Sequence, residues 1–206
     1  MSSSVVALDT IAADEVAAVL CDGFRDYPVM RYVLGRDGDY DARLSRLIGL
    51  FVRARFARQG PVRGVRDDTG TLIGVATITV PGEPELPAAF ADWRDSLWSE
   101  LGLEARGRYD AFVTAARAFE PVEPHHHLNM LGVRRGHQGR GHSRALLEAV
   151  HELAAEDPAS TGVLLTTEHA PNVRLYEYFG YRTIGHARVS EELETWVMFR
   201  GQESEI

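Results

Sequence analysis

The stretch Leu131-Gly132-Val133-Arg134-Arg135-Gly136-His137-Gln138-Gly139-Arg140-Gly141-His142-Ser143-Arg144-Ala145-Leu146-Leu147 carries the clearest chemical signal in the chain. An apolar strand runs into a glycine-rich turn, and the turn opens a helix. Glycines let the backbone approach a ligand closely, and a helix start presents unpaired N–H groups with a partial positive charge. Such a place binds phosphate. Local charge agrees: the chain has 30 acidic residues and none lies between Pro124 and Leu147, where Arg134, Arg135, Arg140 and Arg144 gather. A dinucleotide turn needs Gly-x-Gly-x-x-Gly. Gly139 and Gly141 supply two of these, but Arg144 occupies the third position, where close helix–strand packing calls for glycine.

Two further chemistries are excluded or weakened. All 22 basic residues are arginine, so neither a Schiff-base lysine nor a phosphate loop ending in Gly-Lys-Ser/Thr can be written. The run His125-His126-His127 invites a metal, but successive strand residues point to opposite faces, so three adjacent histidines cannot converge on one ion. No metal site is expected.

The elements that must position these residues are legible as patterns. Ser3–Leu8 reads as an edge strand. A helix follows from Thr10 to Phe24, with Thr10 or Asp14 as its cap, and Tyr27-Pro28 interrupts it before one or two turns over Val29–Leu34. Asp41–Arg58 is amphipathic, with Leu44, Leu47, Ile48, Phe51, Val52 and Phe56 on one side. Val62–Arg66 and Thr71–Val80 form a hairpin around Asp67-Asp68-Thr69-Gly70. Pro81–Pro87 is a loop, and Ala88–Phe119 is helical with a break at Gly102 or Gly107. His125–Val133 is a strand, Ser143–Ala155 a helix and Gly162–Thr167 a strand. Asn172–Phe179 is a short helix, and Tyr181–Val189 and Thr195–Phe199 are the closing strands. A strand–helix–strand unit followed by a helix and antiparallel strands predicts one mixed sheet with helices on both faces. The 206 residues are read as one domain, 1–206.

Composition narrows the class. Apolar residues make up 45% and charged residues 25%, as in ordinary globular proteins. No run approaches the ~18 apolar residues of a membrane span, and the first residues lack the basic and apolar regions of a secretory signal. The single cysteine, Cys21, and the absence of a signal point to the cytoplasm. A net charge of −8 argues against nucleic acid or an anionic membrane as partner.

Gln138-Gly139-Arg140-Gly141-His142-Ser143, set after an apolar strand, resembles the acyl-coenzyme A turn of the GNAT N-acetyltransferases. Asn172-Val173-Arg174-Leu175-Tyr176-Glu177-Tyr178-Phe179-Gly180-Tyr181 resembles that family's second signature. The element order fits along nearly the whole chain, while the motifs are specific from His125 to Tyr181. The resemblance implies an α+β fold, a single mixed, mostly antiparallel sheet splayed at its centre with helices on both faces. It implies acetyl-CoA in the opening between the His125–Val133 and Gly162–Thr167 strands. Leu131, Gly132 and Val133 would hold the pantetheine, and Gln138, Gly139, Arg140, Gly141, His142 and Ser143 the pyrophosphate. Asn172 would orient the pantetheine arm, and Tyr176 would be the general acid.

His127-Leu128-Asn129-Met130-Leu131-Gly132-Val133 resembles a strand of aralkylamine acetyltransferases, which implies His127 as the base. Glu123, His125 and Glu83 are the alternatives. Two departures stand out: Ser143 replaces a smaller residue, and Thr166 stands where many relatives carry a glutamate. The implied activity is transfer of an acetyl group to a primary amine of a small molecule or peptide. A non-catalytic acyl-CoA-binding regulatory module is the alternative. A small amine is the implied partner, and a homodimer is compatible with this reading. If polycationic amines are acceptors, Glu83, Glu85, Asp92, Asp95 and Glu123 would line an acidic cleft.

Overall fold

The computed structural model describes residues 4–35 and 38–202, so Ser3, the expected start of the first strand, lies outside the described residues. The strands are β1 (Val5–Ala7), β2 (Val62–Arg66), β3 (Leu72–Thr79), β4 (His126–Val133), β5 (Gly162–Thr167), β6 (Arg182–Arg188) and β7 (Glu194–Gly201). They form one sheet in the order β1-β2-β3-β4-β5-β7-β6. β4 and β5 run parallel, and every other pairing is antiparallel. The crossover between the parallel strands is α6 (His142–Ala155), as a parallel connection requires.

Helices cover both faces. On one face, α1 (Ala13–Phe24), α2 (Pro28–Leu34), α3 (Tyr40–Ala57), α4 (Ala88–Leu101) and α5 (Leu103–Arg117) share a core. There Val16, Val19, Leu20, Leu47 and Ile48 meet Val75 and Met130 of the sheet. On the other face, Leu146, Leu147 and Val150 of α6 meet Ile73, Ile78, Leu128 and Leu165. The last helix, α7 (Ala170–Tyr178), packs against β5 and β6. This is the α+β arrangement the sequence predicts.

Local differences from the sequence reading have simple causes. Asp9, not Thr10 or Asp14, caps the first helical segment, its carboxylate accepting from the Ile11 N–H at 3.0 Å. A 3-10 turn at Thr10–Ala12 precedes α1 and moves the cap upstream. The break in the long helical stretch falls at Gly102, whose φ of +90° a helix cannot contain. α7 starts two residues before Asn172, because Pro171 occupies its first turn, where the missing N–H has no helical partner to lose.

Candidate active site

β4 and β5 pair only at His126–Val163, His127–Leu164 and Leu128–Leu165, after which no register joins them. The cause is local. Opposite β3, Thr77 pairs with Met130 and Ile78 with Leu128, so Asn129 is an extra residue in β4. Such a bulge bends the strand and reverses which face the following side chains take. Leu128 therefore packs on the α6 side, while Met130 packs with the α1–α5 core. The parting strands open a cleft of about 1050 Å³.

Along the β4 wall, Leu131, Gly132 and Val133 line the cleft. Gly132 leaves room for α1, since a Cβ there would lie 3.1 Å from Leu20. The turn follows. Gln138, Gly139, His142 and Ser143 line the same cleft, whereas Arg140 and Gly141 belong to the turn without forming its wall. The Gln138 amide donates to the Val133 carbonyl at 3.0 Å, folding the turn back on the strand end. Gly139 and Gly141 have φ of +74° and +87°, and a Cβ at either would meet nothing within 4 Å. Glycine is thus required here by backbone conformation rather than by protein packing. Gly141 caps α6 with no side-chain bond, and the first helical bond is Ala145 N–H to Gly141 C=O at 3.2 Å. The N–H groups of Ser143 and Arg144 therefore have no helical carbonyl partner, and they sit at the positive end of the helix dipole.

The arginines of this segment divide. Arg135 is bound to α1, its N–H and side chain reaching Asp22 at 2.8 and 3.1 Å and Asp26 at 2.6 Å. Arg134 Nε donates to the Leu72 carbonyl at 2.9 Å, and Arg144 lies over the Tyr178 and Phe179 rings. Three of the four thus hold the fold around the turn. Arg140 makes no such contact among the described residues.

Across the cleft, the end of β5 and α7 bring together Thr166, Glu168, Asn172 and Tyr176. The buried Thr167 hydroxyl lies 2.8 Å from the Tyr27 hydroxyl and accepts from Asn172 Nδ2 at 3.3 Å. Tyr27 also accepts from the Glu168 N–H at 3.2 Å, tying the loop after α1 to the β5 end. The Tyr176 hydroxyl makes no hydrogen bond among the described residues. Burial, then the neighbouring Glu168 carboxylate, pushes its pKa up to about 12. It is fully protonated at neutral pH.

Glu168 is the residue the sequence reading missed. It is 8% exposed and accepts from Thr195 Oγ1 at 2.8 Å, with no ion pair among the described residues. Burial raises its pKa to about 7, against the lowering effect of the Thr195 and Thr166 hydroxyls. Thr166 stands where the resemblance implies a glutamate, and a glutamate follows two positions on. What the sequence did not reveal is that the chain leaves the strand at Thr167, so strand alternation stops predicting direction.

The three histidines part as alternation requires. His126 is buried, its Nδ1 2.9 Å from Ser160 Oγ. His125 turns its Nδ1 to the Glu123 carbonyl at 2.8 Å, and neither His125 nor Glu123 lines the cleft. His127 does line it. Burial, then the neighbouring His125, Arg55 and Arg117, lowers its pKa to about 4, so the ring is neutral at pH 7.

Beyond His127 the cleft continues between α3 and α5. Phe51 and Tyr109 stack at 5.6 Å, and Phe112 lies in the same wall. Arg55 crosses the floor, bonding the Ile78 carbonyl at 2.8 Å and both oxygens of Glu83, whose side chain is 9% exposed. Gly60 makes space for it: a Cβ there would fall 2.3 Å from Arg55 Nη1. Of the five acids that would make an acidic cleft, only Glu83 lines it, and Arg55 neutralises it. Glu83 is consequently not free to act as a base.

An open mixed sheet splayed between two parallel strands, with a glycine turn at the head of the crossover helix, is a fold that known proteins share. Residues 109–199 match the family model of the acetyltransferase (GNAT) domain. The fold is shared over the full chain with a Corynebacterium glutamicum protein titled histone acetyltransferase HPA2 and related acetyltransferase. The two are 20% identical, with 100% of each chain covered and a TM-score of 0.75. Arylalkylamine N-acetyltransferase 2 from Aedes aegypti is 16% identical, with 98% of this chain and 99% of that one covered and a TM-score of 0.62. The ribosomal-protein-S18-alanine N-acetyltransferase from Escherichia coli is 10% identical, with 97% and 94% covered and a TM-score of 0.57. No curated protein matches the chain by sequence. No helix among the described residues is long and apolar enough to cross a membrane.

Proposed function

We propose that the whole chain works as one acetyl-CoA-dependent N-acetyltransferase acting on a primary amine of a small molecule. The observation that carries this reading is one continuous cleft that joins the glycine turn at the head of α6 to Tyr176, Glu168 and His127. The turn fits a pyrophosphate: it is an open cradle of positive-φ glycines at a helix start whose N–H groups lack helical partners. Gln138 to Ser143 would hold that group. Leu131 to Val133, whose β5-facing edge has no partner strand, would hold the pantetheine, and Asn172, anchored on Thr167, would orient it. When bound, acetyl-CoA supplies an activated acetyl thioester.

The chain's own groups divide the proton work. Tyr176 keeps its proton at neutral pH and can give it to the departing thiolate. His127 holds a free lone pair, which suits it to orient the amine by accepting a hydrogen bond. With a pKa of about 4, however, it is a poor final acceptor for an ammonium proton. Glu168, at about 7, is the stronger base in the cleft and receives that proton. His127 thus changes role from base to positioning residue, because burial first, and the neighbouring charged groups after it, disfavour its charged form.

The test is direct. The purified chain, mixed with acetyl-CoA and a panel of primary amines, should release free thiol in equal amount to N-acetylated product. Thiol release no faster than background hydrolysis, with no acetylated amine, would overturn the reading.

A further inference from the structure

Glu168 is the first residue beyond both ladders of β5. The pairing with β4 ends at Leu128–Leu165 and the pairing with β7 at Thr167–Trp196. Its N–H therefore has no strand to donate to, although the residue is buried, and an unpaired buried donor is costly. A side chain takes the place of the missing strand: the Tyr27 hydroxyl accepts from that N–H at 3.2 Å. The same hydroxyl lies 2.8 Å from Thr167 Oγ1, which also accepts from Asn172 Nδ2 at 3.3 Å. The far end of Glu168 is seated separately, its carboxylate accepting from Thr195 Oγ1 of β7 at 2.8 Å.

Tyr27 can brace the end of β5 because it is itself fixed from the other side of the opening. It closes the link of residues 25–27 between α1 and α2. Its ring packs edge-on against Phe24 at 5.0 Å, and its N–H donates to the Phe24 carbonyl at 3.0 Å. Beside it, Asp26 accepts from Arg31 and Arg135, each at 2.6 Å, and the Arg135 N–H donates to Asp22 at 2.8 Å. Arg135 follows β4 and Glu168 follows β5. The link thus joins the two strand ends where the sheet no longer does.

We propose that Tyr27 is a positioning residue, whose hydroxyl holds the end of β5 so that the Glu168 carboxylate stays in its buried seat in the cleft. This rests on the acetyl-transfer reading above, in which Glu168 takes the proton of the amine. Tyr27 touches no reacting atom in this role and acts through Glu168. The titratable groups around that carboxylate are Tyr27 from the link and Tyr176 from α7, both protonated at neutral pH, with the neutral His127 on the β4 wall of the cleft. Burial is the largest cause of the rise in the pKa of Glu168 from 4.5 to about 7. A loosened segment lets water reach the carboxylate and returns that value toward 4.5.

Tyr27→Phe keeps the ring and deletes only the hydroxyl. In substrate-free protein carrying 13C-labelled glutamate, the carboxyl signal that Glu168→Gln removes belongs to Glu168. Its titration midpoint should fall by roughly one unit or more in Tyr27→Phe. With acetyl-CoA and an amine present, kcat should drop roughly tenfold, and its pH limb should move down with the midpoint. In a Glu168→Gln background, Tyr27→Phe should change kcat by no more than roughly twofold, because the residue it acts through is already gone. A Glu168 midpoint that stays near 7 in Tyr27→Phe, or an equal loss of kcat in both backgrounds, would overturn the positioning role. Full turnover in Glu168→Gln would overturn Glu168 as the proton acceptor, and the part of Tyr27 in the reaction with it. The titration tells the two failures apart, since it needs no substrate.

Discussion

The turn at the head of α6 and the wall between α3 and α5 line one cleft but are made by opposite means. The turn is backbone. Gly139 and Gly141 take left-handed conformations, the N–H groups of Ser143 and Arg144 lack helical partners, and most nearby arginines are engaged in holding the fold. The wall is side chain. Phe51, Arg55, Glu83, Tyr109 and Phe112 come from segments separated by up to about sixty residues, and a buried ion pair holds the floor. A backbone site serves a ligand group that never changes, and a side-chain site can be reshaped one residue at a time. The difference predicts that substitutions in the turn act on cofactor affinity, and those across the cleft on turnover and acceptor choice.

The sharpest test of this division is Gly141→Glu. A side chain at φ +87° strains the turn, and its carboxylate adds a negative charge at the helix start. Acetyl-CoA affinity measured by calorimetry should fall by at least ~10²-fold, to no detectable binding. Unchanged affinity in a folded variant would remove the turn from the cofactor site.

Glu168→Gln comes next, and it should leave that affinity untouched. Losing the proton acceptor should lower kcat by roughly 10²- to 10³-fold. The wild-type rate should rise with pH through about 7 as the carboxyl ionises, and this limb should be absent in the variant. Stability carries a second signature. Folding raises the pKa of Glu168 from 4.5 to about 7, so its contribution favours the folded state in acid and is lost as pH climbs through that interval. Urea midpoints measured from pH 4.5 to 8 should fall less steeply in Glu168→Gln than in the wild type.

Tyr176→Phe removes one hydroxyl that makes no hydrogen bond among the described residues, so the melting temperature should hardly move. Turnover should fall by roughly 10²-fold, with acetyl-CoA affinity retained. Normal turnover would return Tyr176 to a packing role against Tyr181, 5.6 Å away.

His127→Gln should have the smallest effect, a loss of roughly three- to tenfold in kcat/KM for the amine, because the amide oxygen still accepts a hydrogen bond. The limb near pH 7 should remain. Its disappearance in this variant would make His127 the base after all and leave Glu168 as a buried structural acid.

Much of the positioning machinery is legible in the sequence. Hydrophobic period and glycine punctuation located β5 at its observed ends and α6 within one residue, and the turn between β4 and α6 announced itself through residue type alone. That succeeded because a positive φ and a helix start are local requirements, met by residues adjacent in sequence. The anchor of Asn172 on Thr167 and the neutralisation of Glu83 by Arg55 were not legible, since each joins residues from different elements.

Local sequence therefore determined the strands, the helices, the glycine turn and the lack of any lysine for covalent or phosphate-loop chemistry. Tertiary structure decided the electrostatics. It buried Glu168 beside Tyr176, set Arg55 and Arg117 near His127, and paired Glu83 with Arg55. The physical reason is range: a backbone conformation is chosen by a few neighbouring residues, whereas a proton affinity depends on every charge and every shell of excluded water within several ångströms, wherever in the chain they originate.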